Sequence, residues 1–201
     1  MDTEAVGQMQ LSGEGTYLSS VNIDAGAYRS AFTEDAGAIT VNPTVTVTDA
    51  DSADFDTGTL TVTITTGGTS DDRLIIENIG PSAGQISVSG STVSYEGTQI
   101  GTFTGGTGTT DLVVTLNAVA DDVAAQALMR AIQYDNVSDT PSEAARAVAM
   151  TLTDGDGGSS VASTLVSVAA VNDAPTATVQ AVGATEDTDQ TITLAGTDPE
   201  S

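Results

Sequence analysis

The 201-residue chain contains no cysteine, histidine, tryptophan or lysine, and its four cations are Arg29, Arg73, Arg130 and Arg146. Without Cys or His there is no thiolate nucleophile, no Ser-His-Asp relay and no Cys/His zinc site, and without Lys there is no Schiff base. An enzyme is therefore not expected. Against those cations stand 28 Asp and Glu, a formal net charge of −24. A field of that sign repels phosphate polymers and anionic lipid surfaces, which excludes nucleic acid as a partner. No apolar run approaches the roughly 18 residues of a spanning helix, so membrane insertion is not expected either. The start, Met1-Asp2-Thr3-Glu4, lacks the basic and apolar stretches of a secretory signal. The absence of Cys fits a cytosolic protein and equally an exported one that needs no disulfides.

What the chain does have is 39% hydrophobic residues at a mean hydropathy of +0.04, enough to build a core. Thr, Val, Ala, Gly and Ser dominate, in period-2 alternation. Thr44–Thr48 and Thr59–Thr65 read as strands with β-branched residues on both faces. The same reading applies to Arg73–Asn78, Gln85–Ser89, Thr92–Tyr95, Gln99–Thr104, Leu112–Leu116, Ala144–Thr153 and Val161–Val171, separated by Gly, Ser, Asn and Asp. Ser89-Gly90-Ser91 is a tight hairpin turn. One segment, Asp121 to Ile132, is helical instead, capped by Asp121 or Asp122, with Val123, Ala127, Leu128, Ala131 and Ile132 on one face to cover an open end. The expected fold is all-β, an antiparallel Greek-key β-sandwich with one short helix.

Self-similarity organises the chain. Thr33-Glu34-Asp35 recurs as Thr185-Glu186-Asp187, and Thr48-Asp49-Ala50-Asp51-Ser52 as Thr197-Asp198-Pro199-Glu200-Ser201. Between the copies lies Val171-Asn172-Asp173-Ala174-Pro175, where proline ends strand pairing and stiffens a connector. The domain reading is an N-terminal extension over 1–31 of unspecified packing, a repeat over 32–175, and the first strands of a following repeat, or a donor strand, over 176–201.

The carboxylates cluster in turns. Asp49, Asp51, Asp54 and Asp56 lie within eight residues, and Asp154-Gly155-Asp156-Gly157-Gly158 forms a second group. Like charges so close repel unless a counterion joins them. Calcium suits the role, because it takes 6 to 8 oxygens in irregular geometry. Neither cluster is an EF-hand, since the twelfth positions from Asp49 and Asp154 are Leu60 and Leu165. Gly105-Gly106-Thr107-Gly108-Thr109-Thr110-Asp111-Leu112 approximates a β-roll calcium nonapeptide but occurs once, and it reads as a glycine-rich loop. Asp and Gly are also favoured in any turn, so an acidic turn alone does not require a metal. Strand parity adds placement. The strands ending at Thr48 and Thr153 run the same way, which brings Asp49, Asp51, Asp154 and Asp156 to one end. Asn172 and Asp173 then sit at the other, facing Asp198 and Glu200 of the next unit.

The run Leu152-Thr153-Asp154-Gly155-Asp156-Gly157-Gly158, one further strand, and Val171-Asn172-Asp173-Ala174-Pro175 resemble the end of a cadherin-like repeat. Leu128 to Pro175, through Ala131-Ile132-Gln133-Tyr134-Asp135-Asn136, is similar to the tandem repeats of giant bacterial (RTX-type) surface adhesins, with Ig-like relatives. The resemblance spans about residues 32–201 and departs from the family in unit length and in lacking an Asp-Arg-Glu motif. It implies an extracellular, cell-surface rod stiffened by Ca2+, serving adhesion or biofilm cohesion. By the same resemblance Glu34, Asn172, Asp173, Asp198 and Glu200 serve one junction and Asp49, Asp51 and Asp154 the other, and the partners are neighbouring repeats or identical subunits together with a cell-surface or matrix ligand. A second reading is a filament or surface-layer subunit assembled by strand exchange, using the alternation at Thr191-Ile192-Thr193-Leu194. A third, a carbohydrate-binding module or carboxylate-pair glycosidase, is opposed by an aromatic content of 3%. The scattered tyrosines are expected in core or edge positions, and the four arginines in surface ion pairs.

Overall fold

The computed structural model describes residues 21–26 and 28–200. Five strands, β1 (Val21–Asp24), β2 (Arg29–Thr33), β3 (Ile39–Thr40), β4 (Thr46–Asp49) and β5 (Thr59–Thr66), come first among the described residues. They are followed by β6 (Asp72–Ile76), β7 (Ile86–Ser89), β8 (Thr92–Tyr95), β9 (Thr98–Gly105) and β10 (Leu112–Leu116). The helix α1 (Asp122–Arg130) precedes β11 (Ile132–Asn136), β12 (Arg146–Thr153) and β13 (Ser159–Ala169), and the short β14 (Thr176–Ala177) and β15 (Gly196–Thr197) close the described chain. The all-β expectation holds, and the alternating runs fall on strands within a few residues.

Eight strands form one sheet in the order β2-β13-β12-β5-β10-β9-β8-β7, three form β3-β11-β6, and β1 pairs with β4. All pairings are antiparallel except that of β2 with β13, which is parallel from Arg29↔Leu165 to Thr33↔Ala169. β1 and β2 thus supply the packing of the described part of the N-terminal extension; residues 1–20 lie outside the described residues.

Alternation decides the faces. On β12 Arg146, Val148, Met150 and Leu152 are buried, and on β13 Ala162, Thr164, Val166 and Val168. They join Leu60, Val62, Leu112 and Val114 of the large sheet, Leu74, Ile76 and Tyr134 of the three-stranded sheet, and Val21 and Val47 in one core. The β7–β8 hairpin closes with Gly90 at φ +59°, beside Ser89↔Thr92. The glycine-rich loop after β9 covers the edge of β6: Leu74 N–H donates to Gly106 O and Gly108 N–H to Asp72 O. A Cβ on Gly106 would lie 2.2 Å from Leu74 O, so this approach requires glycine.

The helix starts where expected, with Asp121 Oδ1 accepting from Ala124 N at 2.8 Å, but its buried face differs. Leu128, Ala131 and Ile132 are buried as expected, but Ala124, Ala125 and Met129 join them, while Ala127 is only partly buried and Val123 half-exposed. The helix ends at Arg130, so Ile132 belongs to β11, where β-branched and aromatic residues Ile132 and Tyr134 pair with β6.

Candidate metal centres

Two clusters of turns lie at opposite ends of the strands. β4 and β12 both finish at the first end, and Ser52 Oγ joins their turns by donating to Asp156 Oδ2 at 2.8 Å. Asp49 shapes the first turn, with Oδ1 accepting from Asp51 N and Ser52 N, each at 3.2 Å. Its other oxygen, Oδ2, is buried and has no hydrogen-bond partner. Asp154 is fully buried and differently used: Oδ1 accepts from Asp156 N, Gly157 N and Gly158 N at 2.8–3.0 Å, and Oδ2 from Gly158 N at 3.1 Å. Its charge is absorbed by four amide contacts, which makes it the organiser of this turn. Gly155 permits a close approach, since a Cβ there would lie 2.0 Å from Asp56 O. Asp51 and Asp156 are exposed at the rim.

At the opposite end, Glu34 follows β2 and is only 4% exposed. Its Oε2 accepts from Val171 N at 2.7 Å, tying the end of β2 to the connector. Its Oε1 is buried without a hydrogen-bond partner. Two residues on, Asp173 N donates to Glu200 Oε1 at 3.1 Å, and Asn172 Nδ2 to Asp173 O at 2.6 Å. Glu200 N in turn donates to Asp198 Oδ1 at 3.1 Å. Desolvation and the neighbouring Asp198 and Asp173 carboxyls outweigh the amide hydrogen bonds and push the Glu200 carboxyl above its ordinary value.

The two copies of the sequence motif fold alike. Asp35 and Asp187 both take positive φ, 61° and 59°. Ala36 N donates to Thr33 O, and Thr188 N to Thr185 O. The Asp49 turn, closed on Asp51 N, is matched by the Asp198 turn, closed on Glu200 N. The pair β14–β15, Thr176↔Thr197, parallels Asn22↔Thr48 of β1–β4. Around the second copy apolar side chains stand in solvent, Val179 at 97% and Leu194 at 89% exposure.

Among the described residues, no three carboxyl side chains gather into a set able to hold a metal ion by themselves. What the two ends share is one buried carboxylate oxygen each without a hydrogen-bond partner, Asp49 Oδ2 and Glu34 Oε1.

A buried cluster in the body escaped the sequence reading. Asp72 and Arg146, both 0% exposed, face each other with Arg146 Nε 3.3 Å from Asp72 Oδ1. Tyr134 Oη, Asn136 Nδ2 and Thr69 N also donate to the Asp72 carboxylate, at 2.5, 2.7 and 2.6 Å. Arg146 Nη1 binds the carbonyls of Ser142 and Ala144, fixing the loop ahead of β12. Burial works to raise the Asp72 carboxyl, but these hydrogen bonds and the Arg146 charge outweigh it and hold the group below its ordinary value. Burial first, then the Asp72 contact, push the Tyr134 phenol above its own. Tyr134 also meets Phe32 edge to face at 5.4 Å. The surface ion pairs expected of the arginines are therefore not what is found: Arg146 is interior, and Arg73 and Arg130 donate to main-chain carbonyls.

No protein-family model, curated protein or solved structure matches this chain. Function is therefore argued from the site. A cleft of about 310 Å³ between α1 and the β7–β8 hairpin, lined by Ile79, Ile86, Tyr95, Ala127 and Arg130 among others, includes none of the acidic turn residues. Among the described residues no helix is long and apolar enough to cross a membrane.

Proposed function

We propose that this chain is a calcium-stiffened repeat of a bacterial surface adhesin, built as a cadherin-like Greek-key β-sandwich and working outside the cell in attachment or biofilm cohesion. The observation that carries the reading is the pair of partnerless buried carboxylate oxygens, Asp49 Oδ2 and Glu34 Oε1, one at each end of the body. A buried anionic oxygen without a donor costs several kcal/mol, and three of the four Arg side chains, Arg73, Arg130 and Arg146, are engaged elsewhere. A divalent cation recruited from solution meets that need. Because no three carboxyl groups converge among the described residues as the chain stands, binding would draw Asp51 and Asp156 in toward Asp49 at the first end, and Asn172, Asp173, Asp198 and Glu200 toward Glu34 at the second. The ion would then stiffen the connector between one repeat and the next, since Asp173 of the connector already touches Glu200 of the second copy. No catalytic role is assigned.

The exposed alternation at Thr191-Ile192-Thr193-Leu194 also supports the strand-exchange reading, in which residues 176–200 add to the edge of an identical subunit.

Thermal melts of the full chain with millimolar calcium and with chelator test the calcium reading. Calcium should raise the melting temperature, and Glu34→Gln and Asp49→Asn should each remove part of that rise. Identical melts in calcium and chelator would sink the proposal. Filaments that persist in chelator would favour strand exchange.

A further inference from the structure

The second copy of the Thr-Asp motif repeats the strand register of the first as well as its turn. Asn22↔Thr48 and Ile23↔Val47 of β1–β4 return as Thr176↔Thr197 and Ala177↔Gly196 of β14–β15, so Val45 corresponds to Leu194 and Val47 to Gly196. In the first copy these two positions are where the strand meets the helix. Val45 O accepts from Arg130 Nε at 2.8 Å, Val47 N donates to Gln126 Oε1 at 3.2 Å, and both valines are buried. The spacings agree: residues two apart on a strand are separated by about 6.8 Å and residues four apart on a helix by about 6.0 Å. Gln126 and Arg130 therefore bind successive main-chain groups along one edge of β4.

In the second copy the same edge is bare. Thr178 N donates to Ala195 O, which puts the ladder bonds at Ala195 and Thr197 and turns the main-chain groups of Leu194 and Gly196 to the opposite edge. Leu194 is 89% exposed where its counterpart Val45 is fully buried, and Val179 stands in solvent where its counterpart Ala25 packs on the core.

We infer that this edge, centred on Leu194, is a docking seat for an amphipathic helix of the α1 type, with a Gln and an Arg four residues apart, supplied by a unit built like residues 53–171 of this chain. The Arg donates to Leu194 O, the Gln side-chain oxygen accepts from Gly196 N, and the apolar side of the helix covers Leu194. Leu in place of Val45 and Gly in place of Val47 keep the seat apolar and move its bulk from one position to the other. A helix also closes a strand edge without extending the sheet, which separates this contact from strand exchange. Neither the two strand positions nor the helix pair includes a carboxylate, so the seat does not depend on calcium.

The chain has no cysteine, so one introduced thiol can report on the seat. Leu194→Cys is made in the chain itself and in the chain extended after Ser201 by a second copy of residues 53–171, which puts Thr193–Ser201 where Thr44–Ser52 stand in the first unit. In millimolar calcium, iodoacetamide should label the unextended chain as fast as the urea-unfolded protein. The extended chain should label at least about a hundredfold more slowly, because a buried thiol reacts only when its surroundings open. Gln126→Ala or Arg130→Ala in the second copy should each remove about tenfold of that protection. Arg73→Ala in the second copy, remote from the helix, should leave it intact, and Thr188→Cys, off the seat, should label equally fast in both chains. The inference is overturned by slow labelling of the unextended chain, by equal rates in the two chains, whether the added segment folds or not, or by protection that survives both second-copy substitutions.

Discussion

The carboxylate inside the body and the carboxylates at its ends meet the same physical problem with different partners. Asp72 has its cation in the chain, Arg146, with Tyr134, Asn136 and Thr69 completing its shell. Asp49 and Glu34 have main-chain amides on one oxygen and nothing on the other. The interior carboxylate thus has donors on both oxygens, although Arg146 Nη2 is left buried without a partner, while each end keeps one buried carboxylate oxygen without a donor.

Removing the internal cation separates the two classes most strongly. Arg146→Met should cost about 3–5 kcal/mol in urea unfolding, because it leaves Asp72 charged and buried, and Asp72→Leu in the same chain should recover much of that loss. Neither change should alter the response to calcium; a lost response would join the two regions that the comparison keeps apart. Next in size is the metal itself. At a hundredfold excess over Kd, calcium should add about 2.7 kcal/mol, a melting rise of roughly 5–10 °C for a chain of this length, and chelator should return it.

Asp154 sharpens the division from the other side. Asp154→Ala removes its four amide contacts and should cost about 2 kcal/mol with or without calcium, since this carboxylate shapes the turn. A cost confined to the calcium-loaded protein would make Asp154 a ligand instead.

The smallest effects are in pH. Tyr134→Phe should cost about 1.5 kcal/mol at neutral pH. The phenol is raised in the folded chain above its ordinary 10.0, so its contribution is complete below pH 10 and lost as pH climbs beyond it; the Phe variant should lack that alkaline loss. The Asp72 carboxyl is held below its ordinary 3.8, so its contribution is present above that value and disappears as pH falls through the folded one. Urea midpoints measured at both extremes read these two signs directly.

Much of this was legible in the sequence, for identifiable reasons. Long alternating runs such as Thr59–Thr66 and Arg146–Thr153 name their own faces, because period 2 has no competitor there. The duplicated Thr-Glu-Asp and Thr-Asp motifs anticipated duplicated turns, since αL residues and Asx turns are local. The interior pair could also have been found: Arg146 shares parity with Val148, Met150 and Leu152, and Asp72 with Leu74 and Ile76, so both point inward. Their charges argued for the surface, and alternation won. The helix face was read only in part, because its burial depends on non-local neighbours such as β4, which packs against α1. The parallel contact of β2 with β13 had no local signature at all, because it joins residues more than 130 positions apart.

That contact has a mechanical meaning. Because β2 and β13 run the same way, a pull that drags the start of β2 away from the end of β13 slides the strands lengthwise. The rungs from Leu165↔Arg29 to Ala169↔Thr33, and the Glu34 latch on Val171 beyond them, are then loaded together in shear instead of unzipping one by one.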